Sequence, residues 1–482
     1  MSSARFYSLL FGVGYLALAV IHWLHSWGPI SDGYVFADLG DDSESNPMLE
    51  ICQTVTLFFL FSVYVFGLVN WERWRFKTRE VVIMLTAPSL LAWSALPANS
   101  TDLFAYISMG RLAAIYQANP YLHTYSEFGD EFSSFLHWDV TMPYGPVLLP
   151  FFAVAGWVSK YSVVASVFFL KLIWLLTYYG SCWALYRILQ IWKRSDAAYG
   201  LFLFALNPLV LLEQLANGHN DGLMIFWGLL SILALQRERS AWAVVLALLS
   251  ALVKLPGIFF LSVIGVYLLW RREWRGLIFG SLGGAALLLV LKIALFPTTE
   301  SIMSLTNPAS DTKNSLHELL LDVAGRLCQW LGASVSYDTL YSVDRRVFAV
   351  LFLAFCLWRI RQIGRVRHLN VVVSELAAIF LAMLIGYATW FFPWYVTWLI
   401  PLAALVDSAH LKWVIVVFSW TVLALYSFPN FLVEEAPLNW LWAMLRIVIA
   451  HGIPLALILS LEKSGKVWSR LEKSGEMMRK TL

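Results

Sequence analysis

Asp102 follows Asn99-Ser100-Thr101 directly after an apolar run, and Tyr106 and Gly110 recur behind it at i+4 and i+8 on one helical face. A carboxylate in a first helical turn is favoured by the helix dipole and stays ionised, so Asp102 could take a proton from an attacking hydroxyl. It could equally be a helix cap, the commoner use of an acid in that position. A second polar cluster, His219-Asn220-Asp221, stands at the tip between two apolar runs, preceded by Glu213 and by Asn207-Pro208. Its bland reading is capping of the helix that starts at Gly222. One His and one Asp two residues apart are not a metal-ligand spacing, so no metal is assigned, and no cofactor is expected. Arg111 and Lys254 are cations suited to an anionic group, although a lysine at the end of a hairpin also fits snorkelling. Trp394 and Tyr395 suit either a ligand face or an interfacial belt. Lys171 stands inside an apolar run and demands a partner that the sequence does not name.

The elements that must position these groups are membrane helices. Of 482 residues, 60% are hydrophobic and 13% charged, against about 45–50% and about 25% in ordinary soluble domains. Lys and Arg exceed Asp and Glu by only 34 to 31, which argues against a nucleic-acid partner. The 24 Trp, 20 Tyr and 32 Phe suit a chain that repeatedly meets lipid–water interfaces. Cys52, Cys182, Cys328 and Cys356 are scattered, so no disulfide framework is expected. Apolar runs long enough for a 30 Å hydrocarbon core recur from Phe6 to Leu461, and they predict an all-α polytopic protein of about fourteen transmembrane helices. A break at Lys254 and Pro256 divides the run from Ala241 to Trp270 into a hairpin.

Positive charge sets the orientation. Arg73, Arg75, Lys77 and Arg79 follow the second run, whereas Asp32, Asp38, Asp41, Asp42 and Glu44 precede it, which places the amino terminus inside. The segment Gly145 to Val158 is too short to span. Treating it as a surface segment keeps Arg187/Lys193/Arg194, Arg237/Arg239, Arg271/Arg272/Arg275 and Arg359/Arg361/Arg365/Arg367 cytoplasmic, together with the carboxyl terminus. Two long external loops follow, 97–162 and 297–340. In the second, Ser315 and Glu318 have capping-box spacing, and Leu316, Leu319, Leu320, Val323, Leu327 and Trp330 form one apolar stripe ending at Gly332, an amphipathic helix. The expected division is therefore 1–80, two helices and an acidic loop; 81–406, a core with both large loops; 407–461, further helices; and 462–482, a basic cytoplasmic tail.

Taken in order, Asp102 with Tyr106, Gly110-Arg111, Asn119-Pro120-Tyr121, Tyr144-Gly145-Pro146, His219-Asn220-Asp221, Leu252 to Pro256 and Pro393-Trp394-Tyr395 resemble the motif succession of the GT-C glycosyltransferase class. The resemblance runs from about residue 80 to 406 and is strongest to bacterial polyprenyl-phosphomannose-dependent alpha-1,6-mannosyltransferases, with the order of motifs as its signal. It implies a GT-C-like bundle in the plasma membrane that moves a sugar, most simply mannose, from a polyprenyl monophosphate to a glycan or glycolipid acceptor at the outer face. It also implies that the acid of the first large external loop, here Asp102, is the catalytic base.

The chemistry is consistent on physical grounds. A lipid-borne donor cannot leave the bilayer, so its enzyme needs an embedded groove whose head-group end meets polar loops. Phosphate leaves without a proton, so one carboxylate suffices as base, with cations such as Arg111 and Lys254 for the departing phosphate. Tyr106, Asn119, Tyr121, Tyr144, His219, Asn220, Asp221, Trp394 and Tyr395 are expected to bind or support. A single displacement inverts the anomeric centre. The competing reading is a flippase or transporter of a lipid-linked sugar, which would favour midplane charges and broken helices.

Overall fold

The computed structural model describes residues 3–31, 47–130, 132, 136, 139–192, 197–306, 312–364, 368–426 and 436–460. The described residues form helices and no named strand, with an isolated bridge between Lys313 and Trp390. The acidic cluster Asp32 to Glu44, the basic residues Lys193, Arg194, Arg365 and Arg367, and the basic tail 462–482 lie outside the described residues.

Helices α1 (Ser3–Ser31), α2 (Pro47–Val69), the short α3 (Trp71–Trp74) and α4 (Thr78–Ser94) open the chain. Aromatic side chains weld α1 and α2 to the next layer; Tyr64 and Phe202, for example, stack at 6.0 Å. The polar side chains of α1 do something more specific. Trp23 Nε1 donates to Ser94 O at 2.8 Å, Ser26 Oγ donates to Pro97 O at 2.7 Å, and His22 Nδ1 is paired with Leu96 O at 2.8 Å. All three carbonyls belong to the exit from α4, so the first helix fixes the backbone that leads into Asp102.

Helix α5 (Asp102–Ala114) packs along α6 (Leu149–Val158) at backbone distance. A methyl group added at Gly110 would lie 1.7 Å from Phe152 O, and one at Gly156 would lie 2.2 Å from Gly110 C, so neither position tolerates a side chain. With 10 residues, α6 rises only about 15 Å and is too short to cross on its own. Helix α7 (Val163–Ile191) is long and apolar enough to cross a membrane. After it, α8 (Ala197–Ala205) and the one-turn α9 (Pro208–Val210), continued by the π-helical turn Leu211–Ala216, form one broken element bent by 47°. Asn207 makes the break orderly: its side-chain oxygen accepts from Leu209 N and Val210 N, while Nδ2 donates to Ser419 Oγ at 3.0 Å.

Helices α10 (Asp221–Gln236), α11 (Ser240–Ala251), α12 (Ile258–Trp270) and α13 (Trp274–Leu295) follow. Beyond α14 (Thr299–Met303), α15 (Leu316–Trp330) is the expected amphipathic helix: Ser315 accepts from Glu318 N, Gly332 stops it at φ +72°, and Val323, Leu327 and Trp330 remain exposed. Helices α16 (Tyr337–Ile363), α17 (Leu369–Gly386), α18 (Ile400–Leu405), α19 (Ala409–Thr421) and α20 (Ala436–Ile447) complete the bundle.

Among the described residues six helices are long and apolar enough to cross a membrane, or seven with the bent pair as one span. The expectation of about fourteen is approached only by adding shorter apolar helices such as α10, α11 and Leu255–Trp270. Hydropathy alone counts any buried apolar helix as a span, and here several are broken by Pro or by polar turns into pieces. Helix α16 has the length, but Asp344, Arg345, Arg346 and Arg359 interrupt it.

Candidate functional site

Asp102 opens α5, yet it is not a cap. Thr101 holds the N-cap position without a side-chain cap bond, and Asp102 Oδ2 instead accepts from Tyr106 Oη at 3.3 Å and from Tyr144 Oη at 3.4 Å. The i+4 spacing of Asp102 and Tyr106 delivers the first contact. The second depends on long-range docking. Gly145 N donates to Val253 O at 2.9 Å and Val147 N to Leu252 O at 3.2 Å, so the Tyr144-Gly145-Pro146 motif lies flat on the backbone before Lys254. A methyl group at Gly145 would stand 1.9 Å from Leu252 O, which explains the glycine.

The Asn119-Pro120-Tyr121 motif supports this arrangement from behind. Asn119 Nδ2 donates to Leu295 O at 2.7 Å, its Oδ1 accepts from Tyr121 N at 3.0 Å, and Tyr121 Oη donates to Tyr144 O at 3.0 Å. Both side chains act on the backbone that carries Tyr144 and stand one layer back from Asp102.

His219 joins the two acidic clusters. Its Nδ1 lies 3.5 Å from Asp102 Oδ2, its Nε2 lies 3.3 Å from Glu213 Oε2, and the ring stacks on Trp394 with centroids 3.9 Å apart. Burial acts to lower the basicity of this imidazole, but the contacts and charges of Asp102 and Glu213 outweigh it and raise its pKa from 6.5 to about 9. The raised pKa favours the protonated ring, which suits His219 to hold Asp102 ionised rather than to accept a proton. Burial likewise acts to raise the Asp102 carboxyl, but His219, then Lys254 and Ser100, hold it below the usual carboxylate range. The Asp102 side chain keeps 22% exposure, while that of His219 is fully buried.

Asp221 takes the lysine. Lys254 Nζ donates to Asp221 Oδ1 at 2.9 Å, the Trp398 indole donates to the same oxygen at 2.6 Å, and the ammonium lies 5.0 Å from the Tyr395 ring centre and 5.7 Å from that of Tyr144. Asp221 begins α10, and Asn220 before it makes no side-chain cap bond. Both Asn220 amide atoms, both Gln214 amide atoms, Asp221 Oδ2 and Glu213 Oε1 are buried without a hydrogen-bond partner. Such unsatisfied groups are costly unless something polar meets them.

Arg111 lies elsewhere. It is paired in fork geometry with Asp130, at 2.8 and 2.6 Å, and donates to Ser159 Oγ at 2.9 Å. Nine residues of helical rise, about 13 Å, separate its backbone from that of Asp102. Buried Lys171 finds its partners in backbone: its ammonium donates to Ala95 O and to Ala216 O, the latter at 2.7 Å. It thereby ties the end of α4 to the end of the π-turn, directly behind the Asp102 and His219 segments. Among the described residues no three His, Cys, Asp or Glu side chains converge as a metal set.

The structure brings Asp102, Tyr106, Tyr144, His219, Asp221, Lys254, Trp394 and Tyr395 into one group and leaves Arg111 outside it. Sequence reasoning gave no site role to Glu213, Gln214 or Trp398. An acid inside an apolar run was the available signal for Glu213. Beside this group a cavity of about 780 Å³ reaches from Lys254, Tyr395 and Trp398 to Arg345 and Arg346 on α16.

Residues 9–270, which hold every member of the group except Trp394 and Tyr395, match the family model described as "Alpha-(1->6)-mannopyranosyltransferase, N-terminal domain". The chain is also similar to alpha-(1->6)-mannopyranosyltransferase A of Mycobacterium tuberculosis, with 26% identity over 363 residues, covering 70% of this chain and 67% of that protein. The matched segment carries Asp102, His219, Asp221 and Lys254, and the chain belongs to the alpha-(1->6)-mannopyranosyltransferase family as a membrane glycosyltransferase.

Proposed function

We propose that the protein transfers mannose from a polyprenyl monophosphate to a hydroxyl of a glycan or glycolipid at the outer face of the plasma membrane, with Asp102 as base. The observation that carries this reading is the setting of Asp102 Oδ2 among Tyr106, Tyr144 and His219, with Lys254 bordering the cavity next door. The acceptor hydroxyl gives its proton to Asp102 as its oxygen attacks the anomeric carbon, and the lipid phosphate leaves toward Lys254. Attack and departure on opposite faces invert the anomeric centre, so a beta-linked donor gives the alpha product that the relative's name describes. Trp394, stacked between His219 and Phe392, supports the histidine and leaves no open face for the sugar.

The bent α8–π element and the carboxylate of Glu213 within it are features that favour the transporter alternative. Membership of a transferase family and the direct contact of Glu213 with His219 favour transfer. The test is to incubate the purified protein in nanodiscs with a panel of polyprenyl-phosphate sugars and a mannan acceptor, with no transmembrane gradient, and to identify products by mass spectrometry and NMR. An alpha-mannosyl product is expected. Gradient-dependent movement of the lipid sugar without a new glycosidic bond would overturn the reading.

A further inference from the structure

Three basic groups on the cavity wall have no part in the chemistry above. Arg345 and Arg346 project from α16 as exposed side chains with no carboxylate partner among the described residues; Arg345 lies 5.5 Å from the centre of the Tyr341 ring. The third is His317 of α15, which lines the same cavity. Its side chain is 1% exposed, its Nδ1 is 2.6 Å from Asp344 Oδ2, and its Nε2 is buried with no partner. A carboxylate that fixes one ring nitrogen aims the other, so the unpartnered Nε2 of this cavity-lining ring is placed to meet a polar atom of a ligand.

The charges of this wall do not cancel. Asp344 is engaged by His317 and Lys254 by Asp221, which leaves both guanidinium groups to attract an anion. Guanidinium groups match the oxygens of phosphate in fork geometry better than they match a lone carbonyl or hydroxyl. The same helix presents Val343, Val347, Val350 and Leu351 as exposed apolar side chains, as α13 does with Phe279, Leu289 and Ile293. An anion bound here therefore has a hydrocarbon surface beside it along which an attached chain can lie.

We propose that this cavity is the seat of a lipid phosphate, gripped by Arg345 and Arg346, with His317, held by Asp344, as a hydrogen-bond partner to the phosphate and Lys254 at its reacting end. The assignment rests on the transfer reading above and deepens it. It places the anion-binding residues on α16, beyond the matched segment 9–270, where Arg111 does not reach.

The test uses the full-length protein in nanodiscs of neutral lipid, with geranylgeranyl phosphate as probe. The double variant Arg345→Gln/Arg346→Gln should weaken probe binding about 10–100-fold, the range expected for loss of charge-assisted hydrogen bonds, and raise the donor KM in parallel while kcat changes little. The milder Arg345→Lys/Arg346→Lys variant, which keeps charge and bulk, should recover part of the binding if the Gln pair disturbs folding. Inorganic phosphate should compete weakly, because it lacks the chain, and phosphatidylglycerol should compete weakly, because its phosphate is a diester at the membrane surface. Equal competition by inorganic phosphate would overturn the lipid assignment, and unchanged probe binding and donor KM in both variants would overturn the site. Failure of the two readings is separable: Asp102→Asn should bind the probe normally while losing transfer. Arginine-dependent probe binding without any transfer would sink the transfer reading alone, and transfer with an arginine-independent KM would sink this one alone.

Discussion

Asp221 holds the Lys254 ammonium at 2.9 Å, while the cation in direct reach of Asp102 is His219, at 3.5 Å. The two carboxylates are thereby set to different tasks. One neutralises and orients a lysine at the cavity rim, and the other remains ionised with part of its surface open.

If Asp102 is the base, Asp102→Asn should retain its fold while transfer falls by about 10²–10⁴, the usual cost of a positioned base. Its two tyrosine contacts can still be made to the amide oxygen. Rates of mannosyl transfer beside thermal unfolding of the detergent-solubilised protein decide the matter, and near-parental transfer by the folded variant would move the role to another group.

Removing Lys254 should act on stability and donor use together. Lys254→Met leaves the buried Asp221 carboxylate with only the Trp398 indole, a kind of loss that costs about 3–5 kcal/mol for a buried pair. Adding Asp221→Asn should restore much of the unfolding temperature and none of the donor affinity. A double variant that recovers both would place the lysine in structure alone.

Gly145→Ala forces a methyl group onto Leu252 O and separates the Tyr144 backbone from the Leu252–Val253 backbone before Lys254. Overpacking of this kind costs about 1–3 kcal/mol, and a shift of about 1 Å in a reacting group can cost about 10² in rate. Gly12→Ala meets nothing within 4 Å and serves as the neutral comparison. Equal transfer by the two variants would refute the docking argument.

The pH dependence of stability has a definite sign. The folded pKa of His219, about 9, lies above its unfolded value of 6.5, so its contribution is complete below 6.5 and is lost as pH rises through about 9. Asp102, held low, contributes at neutral pH and loses its contribution only in acid, as pH falls below the ordinary carboxylate range. The unfolding-temperature advantage of the parent over His219→Gln should therefore shrink between about pH 6 and about pH 10. A constant difference would show that the ring carries no proton-linked stability.

Much of this was legible in the sequence because it is local. The spacing of Asp102 and Tyr106, the cap at Ser315 and the stop at Gly332 each follow from one turn of helix, and the motif order led to the family. What the sequence could not show is docking across the chain. Nothing in Tyr144-Gly145-Pro146 announces that it lies on Leu252 and Val253, and Arg111 reads as an anion ligand until Asp130 is seen to occupy it. The break at Lys254 and Pro256 was legible too, whereas the number of helices that cross was not: among the described residues six, or seven with the bent pair at Asn207-Pro208, are long and apolar enough.

Lys171 also bears on how the chain is built into the membrane. An ammonium within a span costs about 2.5–3.5 kcal/mol at insertion when it enters alone. Its two carbonyl acceptors lie on either side of α7 in the chain, Ala95 already synthesised and Ala216 still to come. Lys171 therefore lacks its second acceptor until the chain has grown by the 45 residues that separate it from Ala216. Nascent chains halted before Ala216 should stay open to protease around α7, and chains extended past it should become resistant.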